Sequence, residues 1–120
     1  MKTLKTIVLS FLLFSFGLFG CAQTAGTVEK TFKTSGQCGM CKDRIEKMLA
    51  YEKGIVSSDF NVETKELTVK YKSNKTNEAE IKKAVSKLGY DIDDVMGDQV
   101  AYEKLPPCCK KPSDPNHVKH

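Results

Sequence analysis

The sequence predicts an α+β sandwich in the order β-α-β-β-α-β, an antiparallel sheet with two helices on one face. Stretches in which apolar residues alternate, and two in which they recur every three or four positions, carry that prediction. Glycines at the ends of both helical stretches separate the periods.

Val28, Lys30, Phe32 and Thr34 alternate with Glu29, Thr31 and Lys33, as a first strand requires, and Ser35-Gly36-Gln37 breaks it. From Cys41 the apolar positions become Ile45, Met48 and Leu49, the stripe of an amphipathic helix that Gly54 closes. Val56, Ser58, Phe60 and Val62 read as one face of a second strand, and Glu63-Thr64-Lys65 as a turn. Leu67, Val69 and Tyr71 give a third strand, with Thr68, Lys70 and Lys72 facing outward. Asn77 or Thr76 can cap a second helix, whose stripe is Ile81, Ala84, Val85 and Leu88 and whose end is Gly89. Tyr90, Ile92 and Val95 suggest a short last strand, completing a split-βαβ, ferredoxin-like sandwich over residues 27–97.

Ahead of the domain, Lys2 and Lys5 precede an apolar run from Ile7 to Phe19, the pattern of an export signal and too short for a comfortable membrane span. Leu18-Phe19-Gly20-Cys21 resembles the lipobox of bacterial lipoproteins. That resemblance implies a signal over residues 1–21 with cleavage before Cys21, lipidation of Cys21, and a membrane anchor at the cell envelope. The alternative is ordinary cleavage after Ala22, leaving a soluble exported protein. Residues 22–26 form a short polar tether. Without Lys2 and Lys5 the formal charge falls from +4 to +2, too little to argue for nucleic acid.

Four cysteines follow Cys21, in two tight pairs rather than spread as a disulfide framework. Cys38-Gly39-Met40-Cys41 lies where the first strand turns into the first helix. Unpaired N–H groups at a helix N-terminus stabilise thiolate, the form that binds metal. Two soft sulfurs at this spacing suit Cu(I), whereas Zn(II) asks for further ligands.

Residues from about Thr27 to Val95 resemble the heavy-metal-associated domain, on the strength of the C-x-x-C dyad before the first helix, the element order and Gly89-Tyr90 after the second. The family includes copper chaperones, mercury-binding proteins and the N-terminal arms of metal-pumping ATPases. The resemblance implies a metal ion at Cys38 and Cys41 (Cu(I) foremost, Zn(II) or Hg(II) otherwise) and a metal transporter or acceptor metalloprotein as partner; the residues themselves show no catalytic constellation, so no enzyme is expected. It also implies an aromatic near the metal loop. One position departs: where the family usually carries Met, two residues before the first cysteine, this chain has Gly36, and Met40 stands between the thiols instead.

Cys-Gly-x-Cys also resembles a thioredoxin active site, so thiol-disulfide exchange is the rival chemistry, and a resting local disulfide a third reading. The chain has no Trp, however, and its four prolines (Pro106, Pro107, Pro112, Pro115) all lie beyond the domain. Residues 98–120 form an extension expected to be partly disordered, with one or two helical turns before Leu105-Pro106-Pro107-Cys108-Cys109. Some exported relatives of the domain resemble this chain in a Tyr-x-x-Leu-Pro-x-Cys-Cys ending. Cys108 and Cys109 either add thiolates to the first pair or form an independent surface pair. Met40 is a further candidate neighbour of a bound soft ion. His117 and His120 are read as terminal residues without a specific ligand role, and Asp91, Asp93, Asp94 and Asp98 as a solvated acidic edge.

Overall fold

The computed structural model describes residues 26–119. The expected signal over residues 1–21, with Cys21 as its expected lipidation site, nearly all of the expected tether and His120 lie outside the described residues.

Strands β1 (Thr27–Lys33), β2 (Ile55–Asn61) and β3 (Glu66–Lys72) form one antiparallel sheet in the order β1-β3-β2. Helices α1 (Gly39–Ala50) and α2 (Glu78–Lys87) follow β1 and β3, as the period change in the sequence requires. Phe32, Phe60, Leu67, Val69 and Tyr71 from the sheet meet Ile45, Leu49, Ile81 and Val85 from the helices in one core. Asn77 caps α2, its side-chain oxygen accepting from the Glu80 N–H at 3.0 Å. The α+β class and the ferredoxin-like order are those the sequence predicts.

Two details differ. The inner face of β2 begins with Ile55 rather than Val56, which is 51% exposed. A bulge between Ile55 and Ser57 shifts the register by one residue, which exchanges the faces. The fourth strand shrinks to single bridges, Thr34 to Ile92 and Ile92 to Val95. Asp93, at φ 47°, turns the chain there. Its carboxylate accepts from the Lys33 N–H at 2.8 Å and its own N–H donates to the Lys33 carbonyl at 2.8 Å, so pairing with β1 stops at once.

The extension is built rather than loose. Asp98 caps a short helix α3 (Gln99–Glu103), its side chain accepting from the Ala101 N–H at 2.8 Å. Gly89, at φ +97°, ends α2 and lets α3 approach: a Cβ there would lie 2.5 Å from the Tyr102 backbone nitrogen. Leu105 is buried, and a 3-10 turn (Pro107–Cys109) packs its two buried cysteines against α1. The expected disorder gives way to burial of Leu105, Cys108 and Cys109, which supply the apolar anchor a polar tail would lack.

Candidate metal centre

Cys38 occupies the N-cap of α1 in extended backbone, and Cys41 sits in its first turn, fully buried. Their sulfurs are 3.5 Å apart. The loop that carries them is tied down by backbone partners: Ser35 donates its N–H to the Asp91 carbonyl at 3.0 Å, and its hydroxyl accepts from the Asp91 N–H at 2.9 Å. Lys65 reaches the Gln37 carbonyl at 2.8 Å. Gly36 explains the departure at the loop anchor. A Cβ at that position would stand 2.9 Å from the Phe60 ring, so the ring occupies the space against the bare backbone. The anchor is supplied from β2 instead of from within the loop.

The extension brings the second pair to the first. Cys109 lies 3.8 Å from Cys38, sulfur to sulfur, and 3.9 Å from Cys108; the Cys108 thiol is 3.6 Å from the Met40 thioether. The sulfurs of Cys38, Cys108 and Cys109 all lie within 4.8 Å of one another. Of the two placements open for Cys108 and Cys109, the structure has them beside the dyad and buried, and Met40 at the rim, 47% exposed.

These sulfurs differ in their hold on a proton. Burial pushes the Cys38 thiol up, but the Cys41 N–H, the Cys41 and Cys108 thiols and the Met40 N–H outweigh it, leaving Cys38 below the usual thiol range. The sulfur makes no short cap hydrogen bond, so the effect comes from nearby donors rather than a formal cap. Burial raises Cys108, reinforced by the Cys38 side chain, and raises Cys109 strongly, reinforced by Cys41. Tyr90 is fully buried, and its hydroxyl finds no hydrogen-bond partner among the described residues. It faces the Cys41 and Cys109 sulfurs; burial first, then those two sulfurs, push its phenol far up, so it stays a neutral O–H donor.

A profile of the family described as the heavy-metal-associated domain matches residues 37–91. A copper chaperone, CopZ, of Staphylococcus aureus (strain JH9) is 34% identical over 55 residues, 46% of this chain and 81% of the chaperone. The chain belongs to the heavy-metal-associated domain family. Among solved structures, the N-terminal domain of a potential copper-translocating P-type ATPase from Bacillus subtilis in the Cu(I)-loaded state is 30% identical, with a TM-score of 0.53 over 61% of this chain and 100% of that one. Oxidized MerP from Ralstonia metallidurans CH34 is 25% identical, with a TM-score of 0.54 over 57% and 96% of the two chains. The profile match ends at residue 91, and Cys108 and Cys109 lie beyond it.

Sequence reasoning found the sulfurs and missed what holds them. Lys111 pairs with Asp91 at 2.6 Å, and the other Asp91 oxygen accepts from the Gly97 N–H at 2.8 Å. Tyr102 donates its hydroxyl to Asp114 at 2.8 Å and accepts from the Lys111 N–H at 3.1 Å. Asp94 pairs with Lys82 at 2.8 Å. The acidic residues expected as a solvated edge therefore each carry a structural contact. Tyr102 lay in the noted Tyr-x-x-Leu-Pro-x-Cys-Cys segment, but its partner twelve residues on left no periodic signal. His117 bonds the Lys110 carbonyl through Nδ1 at 2.8 Å, and His117, Val118 and Lys119 line a cleft together with Gln37, Cys38 and Cys108. Lys42 binds Glu46 at 2.6 Å, Asp59 at 2.7 Å and the Phe60 carbonyl at 3.0 Å.

Proposed function

We propose that this chain binds a soft transition-metal ion through the Cys38 and Cys41 thiolates, Cu(I) before Zn(II) or Hg(II), as a carrier rather than an enzyme. The observation that carries the reading is the pair of sulfurs 3.5 Å apart at the N-terminus of α1 within a heavy-metal-associated domain. Soft thiolates select Cu(I) over the harder ions, and the donors around Cys38 lower its pKa and so ease formation of the thiolate that binds metal. The relatives named for copper support the same ion.

The sequence pattern ending at Cys21 supports export and a lipid anchor, which puts the ion's capture or delivery at the cell envelope. A membrane metal transporter or an acceptor metalloprotein is the partner this implies, because the ATPase domain of similar fold is part of such a transporter. Native mass spectrometry of anaerobically purified protein, with and without Cu(I), tests the reading. One ion bound by the wild type and lost from Cys38→Ser is the expected result; equal binding by the two would refute it. Globomycin treatment of expressing cells tests the anchor, since a lipoprotein precursor accumulates and a soluble exported protein does not.

A further inference from the structure

We infer that Cys108 and Cys109 are ligands of the same ion as Cys38 and Cys41, so that the C-terminal extension is a clasp closing a polythiolate site. This rests on the metal-binding reading of the dyad and goes beyond it in ligand number and in purpose.

The sulfur separations carry the argument. A metal about 2.3 Å from each thiolate sets neighbouring sulfurs about 3.8 Å apart in a tetrahedral shell and about 4.0 Å apart in a trigonal one, whereas a linear pair needs about 4.6 Å. The separations here are 3.5, 3.8 and 3.9 Å, along Cys41, Cys38, Cys109 and Cys108. The 3.8 and 3.9 Å separations match the edges of a three-sulfur shell of Cys38, Cys109 and Cys108, whose sulfurs all lie within 4.8 Å of one another, and the 3.5 Å between Cys38 and Cys41 is too short for a linear dithiolate. A chance surface pair would also not be buried: Cys108 is 6% exposed and Cys109 1%.

Tyr90 gives a second, independent observation. A fully buried hydroxyl without a partner is costly, and the groups it faces are Cys41 on the dyad side and Cys109 on the extension side. Metal-bound thiolates are strong acceptors at that spot, and a donor aimed at ligand sulfurs is the usual outer shell of a thiolate site. The donor therefore spans both halves of the site. The third observation is that the clasp is fastened in its own right, by the Lys111–Asp91 pair, the Tyr102–Asp114 bond and buried Leu105. Lys65 and Lys119 line the cleft beside Cys38 and Cys108, a cationic rim for a centre carrying surplus thiolate charge.

A two-thiolate loop exposes its ion to an incoming ligand; a clasped one does not. The extension accordingly favours retention, with release following displacement of residues 107–109. The experiment uses the full chain, reduced and loaded anaerobically with one equivalent of Cu(I). X-ray absorption should count three or four sulfurs around copper in the wild type, a result independent of how any variant folds; two sulfurs would overturn the clasp and leave the dyad reading standing. In competition with a Cu(I) chelator, Cys108→Ser/Cys109→Ser should bind at least about tenfold more weakly, each lost thiolate ligand being worth that much or more. Unchanged affinity overturns the clasp. A Cys38→Ser/Cys41→Ser variant that binds as tightly as wild type would overturn both readings together.

Discussion

Replacing Gly89 with alanine separates the domain from its extension. Two costs add at that residue. At φ +97° an L side chain is strained by about 1–3 kcal/mol. The new Cβ would also stand 2.5 Å from the Tyr102 nitrogen, 2.7 Å from its Cα and 2.8 Å from the Ala101 carbonyl carbon. Those are backbone atoms, so no rotamer relieves the clash, and α3 must retreat by about 1 Å from ordinary contact, the kind of overpacking that costs about 1–3 kcal/mol. The expected destabilisation is about 2–6 kcal/mol, each kcal/mol lowering Tm by about 4–8 °C for a domain of this size. Because α3 leads directly to Leu105 and the two cysteines, retreat also frees the lysines of the extension for trypsin. Urea denaturation and timed proteolysis of the metal-free protein measure the two effects. Gly39→Ala is the control: nothing lies within 4 Å of its Cβ, its φ is ordinary, and it should be neutral or slightly stabilising. A Gly89→Ala protein within about 0.5 kcal/mol of wild type, with an equally resistant extension, would refute the packing described for α3.

Glu46→Ala should cost about 1–2 kcal/mol, since its carboxylate accepts from the Phe60 N–H at 2.8 Å on the outer edge of β2 and from Lys42. Asp59→Ala removes only an exposed partner of Lys42 and should cost less than about 0.5 kcal/mol; equal losses on denaturation would contradict this division. Burial raises Asp91, but the Gly97 N–H and Lys111 more than reverse it, so the carboxyl lies below its usual 3.8. Its contribution is therefore present above that value and lost as pH falls through the lower folded one. Extension cleavage by pepsin should accelerate in that acid range, and Asp91→Asn should show the faster rate already above it. Cys108 and Cys109 are both raised, so at neutral pH they hold protons that a bound ion must displace. Apparent Cu(I) affinity should fall as pH falls, more steeply in the wild type than in Cys108→Ser/Cys109→Ser, by up to about a hundredfold per pH unit for two extra protons. Parallel slopes would show that the ion takes no proton from the second pair.

The domain was legible because its core residues sit at strand and helix periods: Phe32, Leu67, Val69 and Tyr71 on alternate positions, Ile45, Leu49, Ile81 and Val85 on helical ones. The bulge that turned Val56 outward was not, since a one-residue register shift leaves no mark in an alternating pattern. Nor was the end of pairing at Asp93, which depends on a left-handed turn and on two bonds to Lys33, sixty residues earlier. At the site, the two cysteine pairs were visible as chemistry, but their meeting depends on where α3 docks. That docking is set by Gly89 and Asp91, both read as the end of a helix and a solvated edge. Gly36 looked like a missing anchor because the ring that replaces it, Phe60, belongs to another strand.

Cys38 and Cys109 are 71 residues apart in the chain and 3.8 Å apart at their sulfurs. An ion gripping both would staple the two ends of the folded domain, as a disulfide does. Closing a loop of that length removes chain entropy from the unfolded state worth about 4 kcal/mol. Loading would then be recorded in the lifetime of the protein itself: the filled form resists unfolding and proteases, and the empty form is the one cleared.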